Sequence, residues 1–417
     1  MMMLKNIILI TIITLGLIGC GGDNAYEAPN SINTPTTPTS NNNSELTKAK
    51  LGEKLFFEKS ISKTQNTSCA TCHDPDHAFI DARFTKADVN QSIFINGALS
   101  VGDDGSALGG RNTPTASYAM FSPTLTSSNG KLIGGQFHDG RAVDLADQAG
   151  RPPLDTAEMQ MPSKFLVMER IQKNSEYVTA FKNLYGNTIF SDVDKAYDAM
   201  SNAIGEFEKT DIFAPFDSKY DVYVKCKEDG GRTSACLQSG NWTIDEQLGM
   251  DLFFSEANTN CASCHQLKGT SEVAAETFTN YNYENIGTPK NLIALKARAD
   301  LGLGDIDAIE HGGLTLGSAD GAIKVPTLRN VAVTTPYMHN GVFADLTTVL
   351  EFYEHARGQG NKPNNPETNA PWGTPDVLAT INHEKLNKGV ELTDRKIEGL
   401  EAFLKTLTDK KYEHLIP

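Results

Sequence analysis

Apolar residues fall on helical spacing in several separate stretches of the chain. Val193, Tyr197, Met200, Ile204 and Phe207 recur at steps of three and four, which puts them on one face of a helix. Ile397, Leu400, Leu404 and Leu407 mark a second such face near the C-terminus. Ile244, Leu248 and Leu252 recur every four residues behind Thr243 and Glu246, a capping box that signals a helix start. Asp345–His355 reads as a further helix. No sustained run alternates apolar and polar residues, so the expected fold class is mainly α with long loops.

The pattern also repeats. Leu51-Gly52-Glu53-Lys54-Leu55-Phe56-Phe57 and Leu248-Gly249-Met250-Asp251-Leu252-Phe253-Phe254 are versions of one heptapeptide. Each is followed by the same pentapeptide type, Cys69-Ala70-Thr71-Cys72-His73 and Cys261-Ala262-Ser263-Cys264-His265. The opening leucines lie 197 residues apart and the motif histidines 192. Two copies of one module, differing by a short insertion, are the economical explanation, and each copy starts with a helix. Two domains are therefore expected, at 45–215 and 242–417, with a linker at 216–241.

The first 44 residues stand apart from this. Lys5 precedes an apolar run, Ile7–Ile18, too short and too early for a stable spanning helix and right for an export signal over residues 1–20. It ends in Leu17-Ile18-Gly19-Cys20, which resembles a bacterial lipobox whose cysteine is acylated; the alternative is an ordinary signal cut nearby. Residues 21–44 are Pro, Thr, Ser and Asn with little to bury, a solvated tether spanning on the order of 25–30 Å. The formal net charge is −15 without a long acidic run. It argues against nucleic acid and towards a basic or neutral protein partner, unless solubility alone accounts for it.

Seven cysteines sharpen the picture. Cys-X-X-Cys-His is the attachment signature of c-type haem: two thiols add to the porphyrin vinyl groups and the adjacent imidazole takes the iron. A pair of thioredoxin-like sites would not need the histidine in both copies. Two covalent haem c groups are expected, on Cys69, Cys72 and His73 and on Cys261, Cys264 and His265. Cys226 and Cys236 flank a turn-rich loop, where a local disulfide suits an exported protein and a second metal site is a distant alternative.

From about Leu46 onwards the chain resembles the bacterial di-haem cytochrome c peroxidase family, which includes the MauG-type enzymes. Besides the haem motifs, the residues that carry the resemblance are Gly110-Arg111-Asn112-Thr113-Pro114-Thr115, Phe137-His138-Asp139-Gly140-Arg141, Glu158-Met159, Val325-Pro326-Thr327-Leu328-Arg329-Asn330 and Pro336-Tyr337-Met338-His339-Asn340-Gly341. The resemblance implies that Glu158 is the acid–base residue over the first haem; by itself it would pass as a surface carboxylate. The peroxidases place a removable His over that haem from the loop before Arg-Asn-X-Pro. Here no His occurs between His77 and His138, so the first haem is expected to stay open, with His77 a hydrogen-bonded helix-end residue. On the second haem the sixth-ligand position falls on Tyr353, as in MauG-type enzymes, with Met338 and His355 as alternatives. Asn112, Thr334 and Pro336 match positions that hold Ca²⁺ between the haems, and hard oxygen donors suit that ion. The chain departs from the family at His138, where a Trp is usual, and at Asn258-Thr259-Asn260, where MauG-type enzymes carry another.

The resemblance implies an exported, periplasmic enzyme, lipid-anchored to a bacterial membrane, the outer one being expected, with a homodimer open. It would reduce hydrogen peroxide to water with single electrons from a small periplasmic cytochrome c or cupredoxin, entering at the His265 haem. The rival readings are peroxide-dependent oxidation of a side chain on a partner protein, and a plain di-haem electron carrier.

Overall fold

The computed structural model describes residues 46–83, 97–128, 131–266, 274–292, 299–305, 319–358 and 361–417. The export signal, Cys20 and the tether lie outside them. Residues 44–417 form one compact unit. Among the described residues no helix is long and apolar enough to cross a membrane.

The architecture is mainly helical. In chain order the helices that build the sites are α1 (Lys48–Phe56), α2 (Cys69–Cys72), α3 (Val193–Glu208), α4 (Lys219–Glu228), α5 (Thr233–Ser239), α6 (Ile244–Phe253), α7 (Leu346–Ala356) and α8 (Asp394–Lys405). The described strands make three short antiparallel pairs, Thr126–Ser128 with Lys131–Ile133, Tyr283–Glu284 with Ile323–Lys324, and Asn364–Asn365 with Ala370–Pro371. Two principal cores result. One is built around Leu51, Leu55, Phe56, Met200, Ile204 and Phe207, the other around Met250, Phe253, Leu350, Leu400 and Phe403.

Each core has the same crossing at its centre. A Cβ built on Gly52 of α1 would lie 1.8 Å from the Ala203 carbonyl oxygen of α3, and one on Gly249 of α6 would lie 1.8 Å from the Gly399 carbonyl oxygen of α8. Only glycine lets the helix backbones touch there. Phe207 and Phe403 pack beside the two contacts.

Two expectations change. Ile244 is 78 % exposed, because it opens α6 directly after the Thr243 cap, and Met250 and Phe253 carry the buried face instead. Residues 216–241 are not a loose linker. The α4–α5 pair closes the Cys226–Cys236 disulfide, and Tyr220, Tyr223, Val224 and Cys236 are buried in the second core.

Buried polar ties brace the second half and join it to the first. Arg329, 1 % exposed, donates from Nη1 and Nη2 to the Asp221 carboxylate at 2.6 and 2.8 Å and from Nε to the Glu276 carbonyl at 2.8 Å. The Tyr118 hydroxyl and the Asn330 amide donate to opposite oxygens of Asp409, at 2.6 and 2.8 Å. Beyond α8 the chain reaches back to the first motif, where Lys411 Nζ and the Tyr412 hydroxyl both donate to the Pro75 carbonyl, at 2.6 and 3.0 Å.

Candidate functional site

The two Cys-X-X-Cys-His motifs are held alike. Cys69–Cys72 is one helical turn, opened by Ser68, whose N–H donates to Thr71 Oγ1 at 2.9 Å; Cys261–Ser263 is a tighter turn opened by Asn260 in the left-handed region. His73 Nδ1 donates to the Phe79 carbonyl at 3.1 Å, and His265 Nδ1 to the Phe278 carbonyl at 3.2 Å. Both phenylalanines have positive φ, 56° and 53°, a costly conformation for a bulky residue that turns each carbonyl onto its imidazole. Burial pushes both histidines down, His265 to about 4, so both rings are neutral at pH 7. With Nδ1 committed as a donor, each Nε2 keeps its lone pair for a metal. Two free thiols within one turn and an oriented imidazole after them are the donor set that a c-type haem needs.

A cavity of ≈ 370 Å³ surrounds the second motif. Cys261, Cys264, His265, Tyr353 and Met338 line it, and so do Asn112, His138, Thr334 and Pro336. Tyr353, on α7, is raised above the usual phenol range by burial and by the Cys264 and Cys261 sulfurs, so it faces the attachment cysteines. His355 turns the other way and stacks on Trp372, ring centroids 5.4 Å apart.

Glu158 sits by the first motif and is felt electrostatically at both Cys69 and Cys72. It is partly buried, and loss of water pushes its pKa up to about 7; Asp155 adds to the rise and Arg141 opposes it. The Gly97–Gly110 loop folds over its backbone. Asp103 N–H donates to the Glu158 carbonyl at 2.8 Å, and a Cβ on Gly102 would lie 2.7 Å from the Ala157 carbonyl oxygen. His77 turns away, its Nδ1 2.9 Å from Asp74 Oδ2.

Between the motifs lies an ion-pair knot. Arg111 donates from Nε and Nη2 to Asp300 at 2.9 and 2.6 Å and also pairs with Asp139, which Arg141 grips at 3.0 Å. Burial favours protonation of Asp139, and Arg111 with Arg141 overcomes it and keeps the carboxylate ionised. The knot fixes the residues next to Asp139 and Arg111: His138 Nε2 donates to the Asn112 carbonyl at 2.9 Å, and the His138 carbonyl accepts from Lys324 N–H at 2.8 Å. Burial and Arg111 push His138 down to about 4, so its ring is neutral. Asn112, Thr334 and Pro336 are thus brought to one cavity. Among the described residues no group of three acidic, His or Cys side chains is arranged for a metal, so a cation there would rest on amide and carbonyl oxygens.

Sequence reasoning missed the carbonyls of Phe79 and Phe278, because a backbone acceptor leaves no residue-type signature. It also missed Glu208, a buried carboxyl on α3 in electrostatic reach of Cys69, raised to about 8 by burial, with Oε2 unpaired. A Glu on the buried face of α3, where α8 carries Leu404, was the available signal.

A family model described as di-haem cytochrome c peroxidase matches residues 46–229. Over 375 residues, 88 % of this chain and 90 % of the relative, the sequence is 42 % identical to the methylamine utilization protein MauG of Paracoccus denitrificans. It is 24 % identical over 419 residues to the cytochrome c551 peroxidase of Nitrosomonas europaea, covering 100 % of this chain and 95 % of that one. Among solved structures, the diheme peroxidase BthA from Burkholderia thailandensis superposes with a TM-score of 0.75 at 28 % identity, covering 89 % of this chain and 88 % of that chain.

Proposed function

Because this chain belongs to the di-haem cytochrome c peroxidase family, MauG-type enzymes included, it is an oxidoreductase, and we propose that it reduces hydrogen peroxide to water. Two c-type haems follow from the family. We assign them to Cys69, Cys72 and His73 and to Cys261, Cys264 and His265, in two halves that arose by duplication of one helix-and-motif module. Haem, when bound, would supply redox-active iron for the reduction of peroxide in the first half. Glu158 takes the proton from the near peroxide oxygen and hands it to the leaving one, so that two electrons and two protons convert H₂O₂ to two waters. The carrying observation is Glu158 itself: partly buried, raised to about 7, beside Cys69 and Cys72 and under a loop without histidine.

The phenol of Tyr353, in the cavity with Cys261, Cys264 and His265, would help hold the second haem and, as an anionic oxygen donor, would favour its Fe(III) state. Asn112, Thr334 and Pro336 would supply amide and carbonyl oxygens to a Ca²⁺ in the cavity they share. Electrons enter at the second half from a small periplasmic cytochrome c or cupredoxin, and the protein is exported and lipid-anchored through Cys20. A second reading, oxidation of a side chain on a partner protein, is favoured by Tyr353 in the cavity and by the 42 % identity to a MauG.

Spectra of the oxidised protein before and after one equivalent of H₂O₂ test this. Expected at rest are one high-spin and one low-spin haem without pre-reduction. Rapid return to rest with a reduced small cytochrome supports the peroxidase; persistence of both oxidising equivalents in its presence supports the second reading. Two low-spin haems that ignore peroxide would make the protein an electron carrier.

A further inference from the structure

The second cysteine of each motif carries a clamped cation. Arg83 Nη2 lies 3.3 Å from Cys72 Sγ and 2.6 Å from Asp81 Oδ2, with Nε 2.8 Å from Asp81 Oδ1. Lys385 Nζ, on the short helix His383–Leu386, lies 3.8 Å from Cys264 Sγ and 2.6 Å from Glu284 Oε1. Asn382 Nδ2 donates to the other Glu284 oxygen at 2.7 Å. The carboxylate side chains are mostly buried, at 4 % and 14 % exposed, and the cations keep 30 % and 35 %.

The recurrence does not follow from the repeated sequence. Arg83 comes 11 residues after its cysteine and Lys385 comes 121 after its own, from an unrelated segment. Two different routes to one arrangement point to a shared requirement. In the loaded protein these sulfurs are uncharged thioethers at the porphyrin edge, so neither cation is there to hold a thiolate. What a positive charge at that edge does is favour the iron state with one electron more. At each sulfur the cation, not its carboxylate, is the group within hydrogen-bond reach, at 3.3 and 3.8 Å.

We propose that Arg83 and Lys385 are positioning residues for electron transfer, each holding a positive charge against a haem-bearing cysteine and raising that haem's reduction potential. Asp81 and Glu284 fix the cations in place and limit the rise. The inference rests on the two-haem reading above.

The test is a potentiometric titration of the haem-loaded protein, with the two haems followed at their separate absorption bands. Lys385→Gln is expected to shift the second haem about tenfold towards Fe(III), about 59 mV for one electron, and to leave the first unmoved. Glu284→Gln removes the opposing charge and is expected to shift the same haem towards Fe(II). Arg83→Gln and Asp81→Asn repeat the pair of signs on the first haem. A structural role would move both members of a pair the same way, and that result overturns the proposal, as does a shift below about twofold. Should Lys385→Gln fail to fold, the sign from Glu284→Gln decides alone. A haem count separates the readings: two haems with unshifted potentials sinks this inference, whereas fewer than two in the parent sinks the proposed function too.

Discussion

The acid–base role proposed for Glu158 predicts a specific pH dependence for the reaction with peroxide. A base must be ionised to take the first proton from H₂O₂, which itself stays neutral across the physiological range. At a pKa of about 7, Glu158 is about one-tenth ionised at pH 6 and about nine-tenths at pH 8. The second-order rate of the resting protein with peroxide should therefore rise roughly tenfold across that window and level off above it. A glutamate at the ordinary 4.5 would be ionised throughout and would give a flat profile. Stopped-flow mixing in overlapping buffers of constant ionic strength reads this directly. Asp155→Asn removes the nearby negative charge and should move the midpoint to lower pH. Glu158→Gln should keep both haems, lose the rising limb and fall about 10²–10⁴-fold. A flat parental profile, or a rising limb that survives in Glu158→Gln, would refute the assignment.

Tyr353→Phe should keep the second haem attached through Cys261 and Cys264 but change its spin state or recruit a new ligand, at higher potential; an unchanged low-spin spectrum would move the assignment to Met338. Glu208→Leu places the residue found at 404 into α3 and should stabilise the protein increasingly as pH rises. The folded parent holds a proton up to about pH 8 that the unfolded chain releases near 4.5, so its stability falls across that interval. The gap in unfolding free energy should widen by on the order of 4 kcal/mol between pH 5 and pH 8, read from urea midpoints; a constant gap would count against it. Gly249→Ala should cost about 3 kcal/mol, because the added methyl meets the Gly399 carbonyl oxygen and neither backbone can yield; an unchanged urea midpoint would show that α6 and α8 do not touch as described.

The helices with strong apolar faces were legible, since Tyr197, Met200, Ile204, Phe207, Leu400 and Leu404 are all buried where their spacing puts them. Ile244 was misread because periodicity cannot tell the first residue of a helix, which points past its cap into solvent, from the second turn. In the 216–241 segment the Cys226–Cys236 disulfide was legible, but the helices flanking Gly230 and Gly231 were not, because their buried face is set by tertiary packing rather than by amphipathicity. The motif cysteines and histidines stood out from spacing alone. Glu158 did not: a lone carboxylate acquires a role only from the loop that covers it and the water that loop removes. Arg83 and Lys385 were invisible for a related reason, because their partner sulfurs are 11 and 121 residues away.

The hydrogen bonds from Lys411 and Tyr412 to the Pro75 carbonyl bear on the order of assembly. Translation runs from the N-terminal side, so Cys69, Cys72 and His73 are made long before Lys411 and Tyr412, 336 and 337 residues beyond Pro75. The loop around His73 thus shares the fate of a segment some 336 residues downstream, and local opening at Lys411 and Tyr412 frees it as well.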